Sequence, residues 1–265
     1  MRILFFGDIV GEVGRKAVLN NVEKLVNKYQ IDFVIANGEN ATHGKGLIER
    51  HYEELIDGGV DCITLGNHYM SKDQILDYID DATALVRPLN LSKRIGGVGT
   101  TLFNVHGVKI RVTNLLGVAF MKEEVSSPYY SLKQLTDSLV DEDSIHIVDY
   151  HAETTSEKIA FGYAFNGVVS AVIGTHTHVQ TNDARILDNG TGYITDAGMC
   201  GDANGVLGFE KNSVMNKTLF GNNSKFEIDV NAQQMVNAVV VDIDDRTKKC
   251  REIFPVRVLG EKKHG

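Results

Sequence analysis

Apolar positions in the first third of the chain follow two alternating rhythms. Short unbroken runs at 2–6, 31–36 and 62–65 have the length of buried strands. Between the first two, Val18, Leu19, Val22, Leu25 and Val26 fall at i, i+1, i+4, i+7 and i+8. That spacing predicts one helix over 14–29 with a single apolar face. Positions 48–56 and 72–79 repeat it, and Gly58-Gly59 stops the first of them. Strands separated by helices need crossover connections, so these strands are expected to run largely parallel.

The middle of the chain changes rhythm. Runs at 101–105 and 109–115 flank His106-Gly107-Val108 and predict an antiparallel hairpin. A helix at 131–139, a strand at 144–148, a helix at 156–165 and a strand at 170–173 follow. Segments 184–187 and 192–195 bracket Asp188-Asn189-Gly190, a second hairpin signal, and 235–243 and 250–258 flank a charged turn at 244–248. Residues 201–225 are rich in Gly and Asn and read as an active-site or surface loop. With three prolines and no linker-like segment, residues 1–265 read as one domain of two sheets with helices outside.

Composition narrows the function. Apolar residues make up 43%, enough for a sizeable core. The net charge of −8 argues against duplex DNA or a membrane surface, which need clustered Lys and Arg. It leaves room for a small nucleotide, because bound cations supply positive charge locally. Cys62, Cys200 and Cys250 form no CxxC pair and read as reduced thiols. Neither a secretion signal nor a membrane span is expected, and the cytoplasm is the expected location.

Each buried-type run leads into polar, metal-competent side chains. Ile3–Phe6 runs into Asp8, and 33–36 into Asn37-Gly38-Glu39-Asn40. Ile63–Leu65 precedes Gly66-Asn67-His68, 145–148 precedes His151, and 171–173 precedes Gly174-Thr175-His176-Thr177-His178. Ligands bind beyond the carboxyl ends of strands in open α/β sheets, so five such ends side by side would share one crevice. Carboxylate, amide oxygen and imidazole suit Mn, Fe or Zn. A carboxylate such as Glu39 can bridge two ions. His176 and His178, two apart, would face the same side of an extended chain. Singly, each residue has a plainer reading as a cap, a turn residue or a satisfied half-buried histidine. In this order and at these strand ends they read as a site. His43, His51, His106, His146 and His264 fit no such place, and Phe120 and Tyr129-Tyr130 read as packing residues.

These motifs in series resemble the calcineurin-like metallophosphoesterase superfamily, in its YmdB-like bacterial branch. Gly7-Asp8-Ile9-Val10-Gly11 and Asn37-Gly38-Glu39-Asn40-Ala41 are similar to that branch's first two motifs, and the likeness spans about 1–258. Val10 stands where the wider superfamily has His, and Glu39 where it has Asp; both are expected of the branch. Gly201-Asp202-Ala203 departs from the branch's usual Gly-Pro-Tyr. The resemblance implies an α/β fold, a four-layer α/β/β/α sandwich around two central mixed sheets. It implies two transition-metal ions, Fe or Mn first and Zn next. Asp8, Glu39, Asn40 and His178 would surround one ion, and Glu39, Asn67, His151 and His176 the other. His68 would be the catalytic proton donor.

The expected activity is phosphodiester hydrolysis by a hydroxide held between the ions. The resemblance points to 2′,3′-cyclic nucleotides opened to 3′-nucleotides; small phosphodiesters and RNA ends are further candidate partners, as is a second copy of the chain. The alternative is a cyclic-nucleotide-binding regulatory protein with little turnover. The glycines at 7, 11 and 14 miss the G-x-G-x-x-G spacing and argue against a third reading, a nicotinamide- or flavin-binding oxidoreductase.

Overall fold

A computed structural model describes residues 1–91 and 95–261, so His264 lies outside the described residues. The first sheet is built on parallel neighbours β1 (Arg2–Phe6), β3 (Phe33–Asn37), β4 (Cys62–Thr64) and β5 (Leu85–Val86). On its other side β1 pairs antiparallel with β13 (Gln234–Ile243). β13 carries both β12 (Met199–Asp202) and the hairpin partner β14 (Cys250–Leu259), and β2 (Asp8–Ile9) runs parallel to β12. The second sheet has the order β10 (Arg185–Ile186), β11 (Gly192–Ile194), β9 (Ala171–Thr175), β8 (Ile145–His151), β7 (Val108–Leu116), β6 (Thr100–Val105). Both sheets are mixed.

Side-chain alternation stacks them. Ile3 and Phe5 pack with Ile110, Val112, Ile145, Ile147 and Ile173 of the second sheet. Leu4 and Phe6, on the opposite face of β1, meet α1 (Gly11–Leu19), α2 (Val22–Tyr29), α3 (Glu49–Asp57) and α4 (Ile75–Tyr78). The outer face of the second sheet, with Val148, Tyr150 and Val172, packs on α5 (Pro128–Ser138) and α6 (Thr155–Ala164). The result is the α/β/β/α sandwich. Each fully buried Leu, Ile or Phe contributes roughly 1.5–3 kcal/mol, so the two-sided burial of β1 makes it the spine of the fold.

Several elements depart from expectation. The helix expected over 14–29 is two, because the chain turns at Asn20-Asn21, where Asn21 Nδ2 donates to Ala17 O at 2.8 Å. The helix expected over 72–79 is a single turn, α4. The 201–225 segment is not all loop: it begins in β12 and holds α7 (Lys211–Thr218), whose free N–H groups at Asn212 and Ser213 donate to the Glu210 carboxylate. The first hairpin turns on His106-Gly107 alone, both left-handed at φ 52° and 85°, the geometry that matches strand twist. Helix α6 starts with Thr154 accepting from Glu157 N, half of a capping box. All three cysteines are buried and free. Among the described residues no helix is long and apolar enough to cross a membrane.

Candidate metal centre

The strand ends that carry the candidate residues do not lie along one edge. Three come from the first sheet and two from the second, and they meet across the seam between the sheets. Asp8 sits in β2 just past β1, Glu39 and Asn40 follow β3, and Asn67 and His68 follow β4. His151 is the last residue of β8, and His176 and His178 lie beyond β9. The two histidines are not on extended chain as expected: their φ angles are 101° and 64°. Left-handed backbone at a non-glycine residue costs of order 1–3 kcal/mol and persists only where the surroundings hold it.

Two groups of potential ligand atoms form within 4.8 Å of one another: Asp8, Glu39 and His178, and Glu39, His151 and His176. Glu39 belongs to both. Asn67 Oδ1 is 3.1 Å and His176 Nδ1 is 3.0 Å from His151 Nε2, with Glu39 Oε1 at 3.2 Å. Asn40 is turned otherwise than a ligand: its amide nitrogen, not its oxygen, lies 2.9 Å from Glu39 Oε1 and 3.1 Å from His178 Nε2. Half a turn of that amide presents the oxygen instead. His68 donates its backbone N–H to Glu39 Oε2 at 3.0 Å, and its Nδ1 lies 3.3 Å from Ser71 Oγ.

The donor set fits cations. Asp8 Oδ1 is fully buried with no hydrogen-bond partner. Around His151 Nε2 three lone-pair-bearing atoms converge, which only a proton or a metal ion satisfies. The charges agree. Burial, reinforced by Glu39 and Asp196 against His178 and His151, pushes Asp8 up to about 6. Burial opposes the charge on Glu39, yet His151 and His68 overcome it and hold Glu39 low. Burial likewise opposes His151, but Glu39, Asp8 and Asp149 raise it to about 9. Metal binding would therefore displace a proton from His151. Burial and the His151 charge lower His176 to about 3, leaving its ring neutral. Burial also lowers His68.

Residues that sequence reasoning missed orient these rings. Glu153 Oε2 lies 2.9 Å from His176 Nε2, so His176 turns Nδ1 to the site. Leu207 O accepts from His178 Nδ1 at 2.9 Å, so His178 turns Nε2 inward and the 203–209 loop reaches the site. Gly66 sits so close that a Cβ there would overlap Glu39 Oε2 and His151 Nε2. Phe120 and Tyr130 are not packing residues as expected: Phe120 is 88% and Tyr130 71% exposed, whereas Tyr129 packs on Phe165 at 5.6 Å. Phe120 stands out because the loop after β7 takes a left-handed turn there, at φ 60°. His51 and His146 are structural, bonded to Thr42 and Thr113 hydroxyls at 2.8 Å each.

Two sheets meeting at a carboxylate shared by two imidazole-containing groups define a metallophosphoesterase, an enzyme that hydrolyses phosphoric ester bonds with bound divalent metal ions. The YmdB-like protein family matches residues 4–256, and the chain belongs to it. It is 44% identical over 253 residues to the 2′,3′-cyclic-nucleotide 2′-phosphodiesterase of Bacillus subtilis (strain 168), covering 96% of this chain and 95% of that one. It superposes on a phosphatase of Mycoplasma pneumoniae with a TM-score of 0.91 and 40% identity, over 99% of this chain and 95% of that one. A hypothetical protein of Thermus thermophilus gives a TM-score of 0.89 and 34% identity, over 98% and 100%.

Proposed function

We propose that this protein is a two-metal phosphodiesterase that opens 2′,3′-cyclic nucleotides to 3′-nucleotides. The observation that carries the two-metal reading is the membership of Glu39 in both ligand groups. Asp8, Glu39, His178 and a turned Asn40 would hold one ion, and Glu39, Asn67, His151 and His176 the other. When bound, the ions, Fe or Mn before Zn for this donor set, lower the pKa of water and neutralise phosphate charge. Ligands drawn from both sheets favour one domain across the chain.

In the reaction a water oxygen joins phosphorus and the P–O2′ bond breaks. The leaving O2′ needs a proton, and the His68 ring is our candidate for the donor. Its backbone N–H is fixed on Glu39, while its ring belongs to neither group of candidate ligand atoms and meets the Ser71 hydroxyl. The substrate choice rests on the Bacillus subtilis relative and on the ring strain that favours attack on a five-membered cyclic phosphodiester. A binding protein without turnover is not favoured, because all eight positions needed for chemistry are present.

³¹P NMR of 2′,3′-cyclic AMP with the purified protein and Mn²⁺ tests this. Conversion to the 3′-phosphate is expected. A 2′-phosphate product would overturn the assignment of the leaving oxygen, and an unchanged cyclic-phosphate signal would overturn the substrate.

A further inference from the structure

Behind His151 lies a buried polar chain that spans the seam. His151 Nδ1 is 2.8 Å from Thr175 Oγ1, and that hydroxyl donates to Asp149 Oδ1 at 2.7 Å. The hydroxyl has one proton and spends it on Asp149, so His151 must be the donor to Thr175. Nδ1 therefore carries hydrogen, and Nε2 is left to face Asn67, Glu39 and His176. The other Asp149 oxygen accepts from Thr64 Oγ1 at 2.5 Å and from Asn37 Nδ2 at 2.9 Å, both in the first sheet. Asn37 in turn accepts the Glu39 N–H on its Oδ1 at 3.1 Å. One buried carboxylate thus joins β3, which leads to Glu39, β4, which leads to Asn67, β8, which bears His151, and β9, which leads to His176. Asp149 and Thr175 are both fully buried, and neither belongs to the two groups of candidate ligand atoms.

We propose that Thr175 and Asp149 are positioning residues for the metal position framed by Glu39, His151 and His176. Thr175 fixes which nitrogen His151 presents, and Asp149 holds the two sheets in the register that brings their ligands together. The inference rests on the two-metal reading above. Partners of this kind behind a ligating histidine typically contribute 10- to 100-fold to metal affinity.

The test is Mn²⁺ binding by calorimetry, with electron paramagnetic resonance of the loaded protein. It compares wild type, Thr175→Val, which keeps the shape and loses the hydroxyl, and Thr175→Ser, which keeps the hydroxyl and loses the methyl. Wild type is expected to bind two equivalents and give a spin-coupled signal. T175V is expected to keep one tight equivalent and weaken the other by 10- to 100-fold, with the signal of an isolated ion. T175S is expected to restore wild-type behaviour. Two wild-type affinities in T175V, or equal impairment in T175S, would overturn the positioning role and leave the two-metal reading intact. A single equivalent in wild type would instead overturn the two-metal reading itself.

Discussion

Thr177 donates both its backbone N–H, at 3.0 Å, and its hydroxyl, at 2.7 Å, to one oxygen of Asp196. The residue so clamped lies between the two left-handed histidines of the site. The same oxygen takes the Lys158 ammonium at 2.7 Å, and the other accepts Gly198 N–H at 2.8 Å. Lys158 and Asp196 form an ion pair buried in the interior. Such a pair is costly to assemble and costlier to break. It supplies the constraint that keeps His176 and His178 in an unfavourable backbone conformation.

Asp196→Ala strands the Lys158 charge in the interior and frees the turn. Unfolding in urea should show a loss of about 3–5 kcal/mol. Mn²⁺ content after gel filtration should fall with it. A variant that keeps the wild-type metal content would show that the turn holds itself.

Gly66 offers a sharper probe, because it lies against two of the proposed ligands, Glu39 and His151. In Gly66→Ala the added methyl would occupy the space between Glu39 Oε2 and His151 Nε2. The Gly66 backbone needs no left-handed conformation, so the fold should survive. Wild type should melt higher as Mn²⁺ is added, since a ligand that binds only the folded state stabilises it. G66A should lose that dependence. A melting temperature that still climbs with Mn²⁺ in G66A would disprove the close approach.

The candidate site residues are more legible in the sequence than what holds them. Asp8, Glu39, Asn67, His68 and the His176–His178 pair follow short apolar runs, a pattern that survives without coordinates. Their division between two sheets did not show, because strand order depends on pairings such as β1 with β13, over 200 residues apart in sequence. β2 and β12 are two and four residues long, too short to leave a periodic trace. Glu153, Thr175, Lys158 and Asp196 act through contacts that local spacing does not encode. Asp149 did leave a signal: it stands two residues before His151 in a buried strand, hence on the same face.

Stability should fall with acid through His146. Its ring is buried against Thr113, and burial together with Arg111 takes its pKa from 6.5 down to about 3. The folded state therefore holds the neutral ring while the unfolded chain binds a proton below 6.5. This contribution is complete above pH 6.5 and is lost as pH falls towards 3. The slope for one proton is about 1.4 kcal/mol per pH unit. His146→Gln can keep a bond to Thr113 and cannot titrate. Urea unfolding at pH 7, 6 and 5 should show wild type losing stability faster than H146Q by that slope below pH 6. A constant gap between the two would mean that His146 is protonated in the folded protein.

Ligand and proton donor should separate by mutation. Asn67→Ala removes the oxygen 3.1 Å from His151 Nε2, and His176→Ala removes a nitrogen 3.0 Å from the same atom. Both should lower Mn²⁺ affinity and turnover together. His68→Ala keeps the backbone N–H that Glu39 accepts and removes only the ring. Metal content should stay at the wild-type level while kcat for 2′,3′-cyclic AMP falls by about 10²–10⁴. The leaving group decides whether proton donation is the reason. A ribose alkoxide needs a proton as it departs; 4-nitrophenolate, from a 4-nitrophenyl phosphodiester, does not. The H68A deficit should therefore shrink to within a few-fold on the nitrophenyl substrate. An equal deficit on both would assign the His68 ring to binding the phosphate, and a loss of metal would make it a ligand.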